Sequence, residues 1–524
     1  MMTLKKIIPV LSIFFIFSVS LVFSAVPTID ETLCVHIPCA SLNNSYYEID
    51  LELLDTNRSP SENSFIFTLS SIREIPPCDN CIRIQENTLD IVLPEILFGT
   101  QTFALSLDCC LNPPEAIHWE LNNIFEVSGS DENRKPAVLN ADEDLTTLAD
   151  GLNGFNMALY NKMKKDGENL FFSPYSISSA LAMSYAGAIG ETADQIKKVL
   201  QCDMASDSLH AGFNYLDSEF KKRENNAIDN EKNGFRLNIT NNIWGQQGFP
   251  FVSEYLDTLA LYYAADLALL DFINDPENSR QIINSWIKDQ TQDRIENLIP
   301  QGIIDSLTRL VLTNAIYFNA AWASPFESER TEENCLFYIS DAETASISLM
   351  EQTESFKYAA LDGIQAVELP YEGNELSMVI ILPDQGAFSD FESKMDNKEI
   401  NTVINALSIK NVHLKMPAFE LTPGNISLNT ILQQMGMVLA FSPNADFSGI
   451  TKAADLFISD VIHKAFIKVD EKGTEAAAAT AVVFKETSMP LEPVEMTVNR
   501  PFIFFIRDIK TNVILFTGKL VDPS

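Results

Sequence analysis

From Val469 to Phe484 the chain reads VDEKGTEAAAATAVVF, and the small volume of this run limits what it can become. Glu471, Lys472 and Gly473 make a charged, flexible approach, since glycine tolerates backbone angles that a side chain forbids. Beyond them the residues alternate in the two-residue period of a strand. Thr474, Ala476, Ala478 and Thr480 fall on one face, and Glu475, Ala477, Ala479 and Ala481 on the other. A segment that slides between two strands of a packed sheet can carry nothing bulky or charged inward, because close-packed interiors hold no spare volume. Thr and Ala meet that limit. Taken alone, the run also fits an exposed helix, because Ala is the best helix former and Glu475 suits a first turn.

The rest of the chain favours the strand. NLFFSPYSISSALAMSYAGAIGETADQI (Asn169 to Ile196), LVLTNAIYFNAAWASPFE (Leu310 to Glu327), ADFSGI (Ala445 to Ile450) and NRPFIFFIRD (Asn499 to Asp508) occur in order with the hinge-like run. In these blocks the chain resembles the serpins, over about residues 145 to 524. The resemblance implies an α+β serpin fold with three β-sheets, eight to nine helices and an exposed reactive-centre loop.

It further implies an inhibitor that works by being cut. A serine protease attacks the loop and forms the acyl-enzyme, and the cleaved loop then enters the central sheet faster than the ester hydrolyses. Glu471, Gly473, Thr474, Glu475, Ala476, Ala477, Ala478, Ala479 and Thr480 match the family's hinge. Counting from Gly473 puts the scissile bond at Thr487–Ser488, whereas counting back from Pro501 puts it near Met489. From Gly473 to Thr487 an extended chain reaches roughly 50 Å. Thr487 in the specificity pocket suits an elastase-like or subtilisin-like protease, and Lys485 would instead invite a trypsin-like one. Ser173, Ser176, Asn314 and His463 match the polar cluster where the central strands part, and Trp322 and Glu471 match the breach at the top of the sheet. For Ser173 and Trp322 individually, packing alone accounts for the residue type. The lysine that often pairs with Glu471 should fall near Ala418, and none stands there.

Residues 1–25 read as an export signal or an N-terminal anchor: Lys5 and Lys6, an apolar run from Ile7 to Phe23, then Ser24 and Ala25. A secreted or cell-surface protein is expected. Residues 26–127 have another pattern. Tyr47, Ile49, Leu51 and Leu53 alternate with acids, and Phe103, Leu105 and Leu107 alternate with small or polar residues, as in a small β-sandwich. Cys34, Cys39, Cys78, Cys81, Cys109 and Cys110 lie here and in an exported chain favour up to three disulfides. Disulfide geometry strains a vicinal pair, so Cys109 and Cys110 are expected to bond different partners. Cys78 with Cys81 lacks further ligands at zinc spacing. Cys202 and Cys335 read as buried or free thiols. A polar linker spans 128–144, and from Leu145 the positions Leu148, Leu152, Phe155, Leu159 and Met163 recur at helical spacing. Helices are expected over Tyr175–Gly187, Glu191–Leu200 and Pro276–Leu298, and strands over Leu237–Trp244, Leu310–Phe318, Leu376–Leu382 and Phe502–Ile506.

The formal charge of −36, from 72 acids against 36 bases, opposes nucleic acid, anionic membranes and polyanion cofactors as partners. Lys197 with Lys198, and Lys221, Lys222 and Arg223, read as solvated faces among acids. None of the five histidines, His36, His118, His210, His413 and His463, sits in a metal-binding or nucleophile motif. Gly187 and Gly190 read as helix termination. No enzyme, cofactor or metal site is expected, and a monomer is. Two other readings stay open: a non-inhibitory carrier or chaperone, and an adhesion protein acting through the cysteine-rich segment.

Overall fold

The computed structural model describes the course of eight strands within residues 28–127, and residues 142–523 apart from 230–235, 264, 266, 341, 453–455 and 475–491. The chain divides into two compact units, one of residues 1–134 with 264–270, the other of 135–263 with 271–524. The division at 134 falls inside the polar stretch 128–144.

In the first unit, strands Cys34–Leu42, Ser45–Leu53 and Ile66–Ile75 pair antiparallel in sequence, as do Ile91–Phe98, Gln101–Asn112 and Ala116–Val127. Ile66–Ile75 also pairs with Ala116–Val127, joining the two groups. Thr28–Ile29 pairs with Cys34–Leu42 on one side and Ile91–Phe98 on the other, so the path returns on itself. Ile49 lies opposite both Ile37 and Ile72, as its place in the alternating run requires. Residues 1–25, expected as an export signal or anchor, and the side chains of the six cysteines lie outside what is described.

The second unit opens with the helix Asp142–Met163. Its expected apolar positions Leu148, Leu152, Phe155 and Leu159 are buried, each no more than 2% exposed. The helix starts three residues before Leu145, where the run Asp142-Glu143-Asp144 suits its positive end. Pro174–Tyr185 starts on Pro174, with Ser173 as N-cap accepting from the Ser176 N–H. That helix is buried throughout its first eleven residues, and its buried Ser178 and Ser184 hydroxyls bond back to the Pro174 and Ala180 carbonyls. The helix expected to reach Leu298 stops at Gln290, because the Thr291 hydroxyl bonds back to the Ile287 carbonyl and the following Gln292 and Asp293 take positive φ. Gly187 is required by packing: a Cβ there would lie 2.2 Å from Ile450 Cγ1. Gly190 begins the next helix, Gly190–Leu200, instead of ending one. Nine α-helices occur among the described residues.

The central sheet places Arg236–Gln246 antiparallel to Leu310–Ala321, with Val461–Ala465 parallel on the other side of the latter. A second sheet runs Val494–Thr497, Ser408–Pro417, Thr344–Leu361, Ile364–Pro370, Leu376–Pro383, Phe502–Asp508, Ile514–Leu520, Leu170–Phe172, with Glu332–Tyr338 added on Thr344–Leu361. The 18-residue strand Thr344–Leu361 pairs early with Glu332–Tyr338 and late with Ile364–Pro370, so two of the three expected sheets run into one another through it. Phe171 stacks on Phe504 and Phe516, and Phe516 meets Phe318 of the central sheet, which locks the layers together. Arg223 corrects the expectation of a solvated basic face: it is buried and paired with buried Asp508, while Lys221 and Lys222 stay exposed on the same helix.

Candidate functional site

The expected hinge begins inside the central sheet. Leu310–Ala321 pairs with Val461–Ala465 over Leu312–Ile316, and at its far end Ala320 and Ala321 pair with Thr474 and Gly473. Thr474 also pairs with Val469 of the strand Ile467–Val469. Gly473–Thr474 therefore fills the slot between two strands of the sheet. A tight turn returns the chain: the Asp470 N–H donates to the Gly473 carbonyl at 2.9 Å, and the Lys472 N–H to Asp470 Oδ1 at 2.9 Å. Gly473 sits at φ +156°, and a Cβ would come 2.2 Å from the Ala320 carbonyl oxygen, so this position admits only glycine. The flexible approach expected of Gly473 is thus a fixed, buried corner.

Thr474 is fully buried, and its hydroxyl and the Tyr371 hydroxyl lie 2.8 Å apart. Burial pushes the Tyr371 pKa well up, so the phenol stays neutral. Tyr371 stacks on Trp322 with ring centroids 4.7 Å apart and planes 8° from parallel. The Trp322 indole donates to the Asp470 carbonyl at 3.0 Å, its backbone N–H donates to Lys472 at 2.9 Å, and the Phe326 N–H donates to Glu471 at 2.8 Å. Trp322 thereby holds the turn that delivers the hinge. Glu471, lacking the lysine sought near Ala418, accepts a 2.7 Å hydrogen bond from the Thr331 hydroxyl. Sequence reasoning missed Tyr371 and Thr331. A tyrosine and a threonine outside any motif carry no local signal.

Lower in the same seam, Ser173, Ser176 and His463 meet. The Ser173 N–H donates to His463 Nε2 at 3.1 Å, its hydroxyl donates to the Leu515 carbonyl at 2.7 Å, and it accepts from the Ser176 N–H at 3.2 Å. Asn314 stands in register with His463 across the parallel pair, its side chain outside what is described. Because Nε2 accepts, the proton of the neutral ring sits on Nδ1. Burial alone lowers the His463 pKa to about 3. At His210, burial lowers it to about 4 against an opposing pull from Asp207. Each folded ring binds protons more weakly than an unfolded histidine. Its contribution is therefore fully present above about pH 6.5 and is lost as pH falls toward those values. Going from about pH 7 to about pH 4.5 is expected to cost about 2–3 kcal/mol per ring. Urea unfolding across that range should show a steep loss of stability, shallower in His463→Gln; equal slopes in the two proteins would exclude His463 as a contributor.

Glu475, Ala476, Ala477, Ala478, Ala479 and Thr480, and the bond candidates Lys485, Thr487, Ser488 and Met489, lie outside the described residues. The chain is described again from Glu492, ahead of Val494–Thr497, which runs parallel to Ser408–Pro417. No group of three or more His, Cys, Asp or Glu side chains placed to hold a metal occurs among the described residues. Cys202 and Cys335 are free thiols, and burial pushes Cys202 up to about 12, out of reach of thiolate chemistry.

Residues 150–523 match the family model described as Serpin (serine protease inhibitor). Human Serpin B4 is 37% identical over 400 residues, covering 72% of this chain and all of that protein. Mouse leukocyte elastase inhibitor A is 39% identical over 365 residues, covering 68% and 93%. An uncharacterized serpin-like protein of Thermococcus kodakarensis is 38% identical over 379 residues, covering 72% and 86%. Among solved structures, uncleaved ovalbumin matches with a TM-score of 0.65 at 27% identity, over 72% of this chain and all of that one. The native thermophilic serpin tengpin matches at 0.64 and 29%, over 73% and 95%. The sheets, the seated hinge and these relatives lead to one conclusion: this chain belongs to the serpin family.

Proposed function

We propose that the protein is a suicide-substrate inhibitor of a serine protease, and no enzyme itself. The observation that carries this reading is Thr474, buried and hydrogen-bonded in a slot of the central sheet, followed in sequence by a run of residues small enough to continue into it. The protease serine attacks the Thr487 carbonyl, the peptide bond to Ser488 breaks, the Ser488 amine takes the proton, and an ester remains on Thr487. Residues 475–487 then continue the strand begun at Gly473–Thr474, drawing the tethered protease along. Opening the seam requires the cluster of Ser173, Ser176 and His463 to exchange partners, and each further strand hydrogen bond offsets that cost.

The small Thr487 side chain and the leukocyte elastase inhibitor relatives both point to an elastase-like target. Lys5 and Lys6 with the apolar run Ile7 to Phe23 support export or an N-terminal anchor. No helix among the described residues is long and apolar enough to cross a membrane. A carrier role is the second reading, favoured by the likeness to thyroxine-binding globulin complexed with thyroxine, at a TM-score of 0.60 and 28% identity.

Mixing the protein with elastase-like, subtilisin-like and trypsin-like proteases is expected to give a covalent complex that survives denaturing electrophoresis with at least one of them. Mass spectrometry of the released peptide then identifies the cut bond. Quantitative cleavage with no such band in any mixture rejects the inhibitor and favours the carrier.

A further inference from the structure

The strand just after the loop, Val494–Thr497, is four residues long and, among the described residues, ends its sheet beside Ser408–Pro417. Besides its register with Ser408–Pro417, this short edge strand is held by buried Met496 and Val498, by the Val498 N–H donating to the Lys415 carbonyl at 2.8 Å, and by Gln365 Nε2 donating to the Glu495 carbonyl at 3.2 Å. On its outward side Glu495 stands in register with His413. His413 Nδ1 lies 2.7 Å from Glu495 Oε2, and Nε2 lies 3.1 Å from Glu351 Oε1, so a carboxylate faces each ring nitrogen.

Carboxylates accept only. A neutral imidazole donates one N–H, and only the imidazolium donates two. Both contacts therefore form together only on the charged ring. The two carboxylates are not equally held. Glu351 also receives Lys415 Nζ at 3.1 Å and Arg330 Nη2 at 2.9 Å, and Lys415 bonds Glu332 at 2.8 Å as well. These hydrogen bonds, His413 first, lower the Glu351 carboxyl to about 2. Glu495 has no cation besides His413 within ion-pair reach among the described residues. Around the ring stand three acids, Glu332, Glu351 and Glu495, against the two permanent cations Arg330 and Lys415. When the ring is neutral, Glu351 keeps its partners. A neutral ring donates to one carboxylate only and without charge assistance, so the link it makes between Glu351 and Glu495 weakens.

We propose that His413 is a positioning residue for the C-terminal root of the reactive-centre loop, clasping Glu495 as an imidazolium and holding it more weakly when the ring loses its proton. The strand after the loop is held most firmly while the ring carries its proton and loosens once the ring is neutral. Its bearing on inhibition rests on the inhibitory reading; the anchoring of the strand does not.

Hydrogen exchange of the intact, protease-free protein tests this, followed by mass spectrometry on peptides spanning Glu492–Val498 at about pH 5 and about pH 8, corrected for the intrinsic exchange rate. Protection in the wild type is expected to fall about two- to fivefold from the lower to the higher pH, the size of an exposed charge-assisted contact. His413→Gln and Glu495→Gln should show the weaker protection at both pH values. Equal protection of the wild type at the two pH values, or an unchanged pH dependence in His413→Gln, overturns the proposal. Neither result bears on whether a covalent protease complex forms, so the two readings fail separately.

Discussion

Thr474→Arg is expected to abolish the covalent complex and turn the protein into a plain substrate, cut at the same bond and released. Thr474 has no exposed surface, and its hydroxyl is matched to the neutral Tyr371 phenol. A guanidinium in that buried slot would leave its water behind, and burying a poorly paired charge costs several kcal/mol. The hinge would stay out of the sheet. Insertion competes with hydrolysis of the ester, so a barrier raised by about 3 kcal/mol or more slows insertion at least about a hundredfold and hands the outcome to hydrolysis. Thr474→Ala, which fits the slot and removes only one hydrogen bond, should keep most of the complex. Gel densitometry over a range of inhibitor-to-protease ratios distinguishes these outcomes. An arginine variant that still traps the protease would mean that insertion does not proceed through this slot.

The second large effect is thermal. Cleavage in the loop is expected to raise the melting temperature of the second unit by roughly 15 °C. A fully inserted segment adds on the order of a dozen strand hydrogen bonds, each contributing about 1 kcal/mol net. For a unit of about 380 residues, each kcal/mol corresponds to about 1.3 °C. Among the described residues Gly473 and Thr474 begin that strand, and pairing by residues 475–487 supplies the gain. Calorimetry of intact protein and of protein nicked by a protease that is not trapped measures it. A nicked form melting at or below the intact form would leave no energy to drive inhibition.

Much of the architecture was legible because it depends on local pattern. The 3.6-residue spacing from Leu148 to Leu159 marks a buried helix face, and the helix expected over Glu191–Leu200 runs Gly190–Leu200. The places where expectation and structure part are tertiary. Arg223 looked solvated beside Lys221 and Lys222, but its partner Asp508 lies 285 residues along the chain. Thr331 takes the place of the lysine sought for Glu471 from 140 residues away. Tyr371 reaches Thr474 across 103 residues. Side-chain type says what a residue tolerates, and only packing says what it meets.

The amino-acid order alone pointed to the family, through blocks that resemble it in order, and set several helices and the volume limit on the hinge, which follow from periodicity and the size of side chains within a short window. That Gly473–Thr474 already occupies the slot, that Trp322 and Tyr371 hold it there, and that His413 stands between Glu351 and Glu495 were decided only when distant strands came into register. Hydrogen bonds and ion pairs act over about 3 Å, and no spacing along the chain specifies which remote groups will come that close.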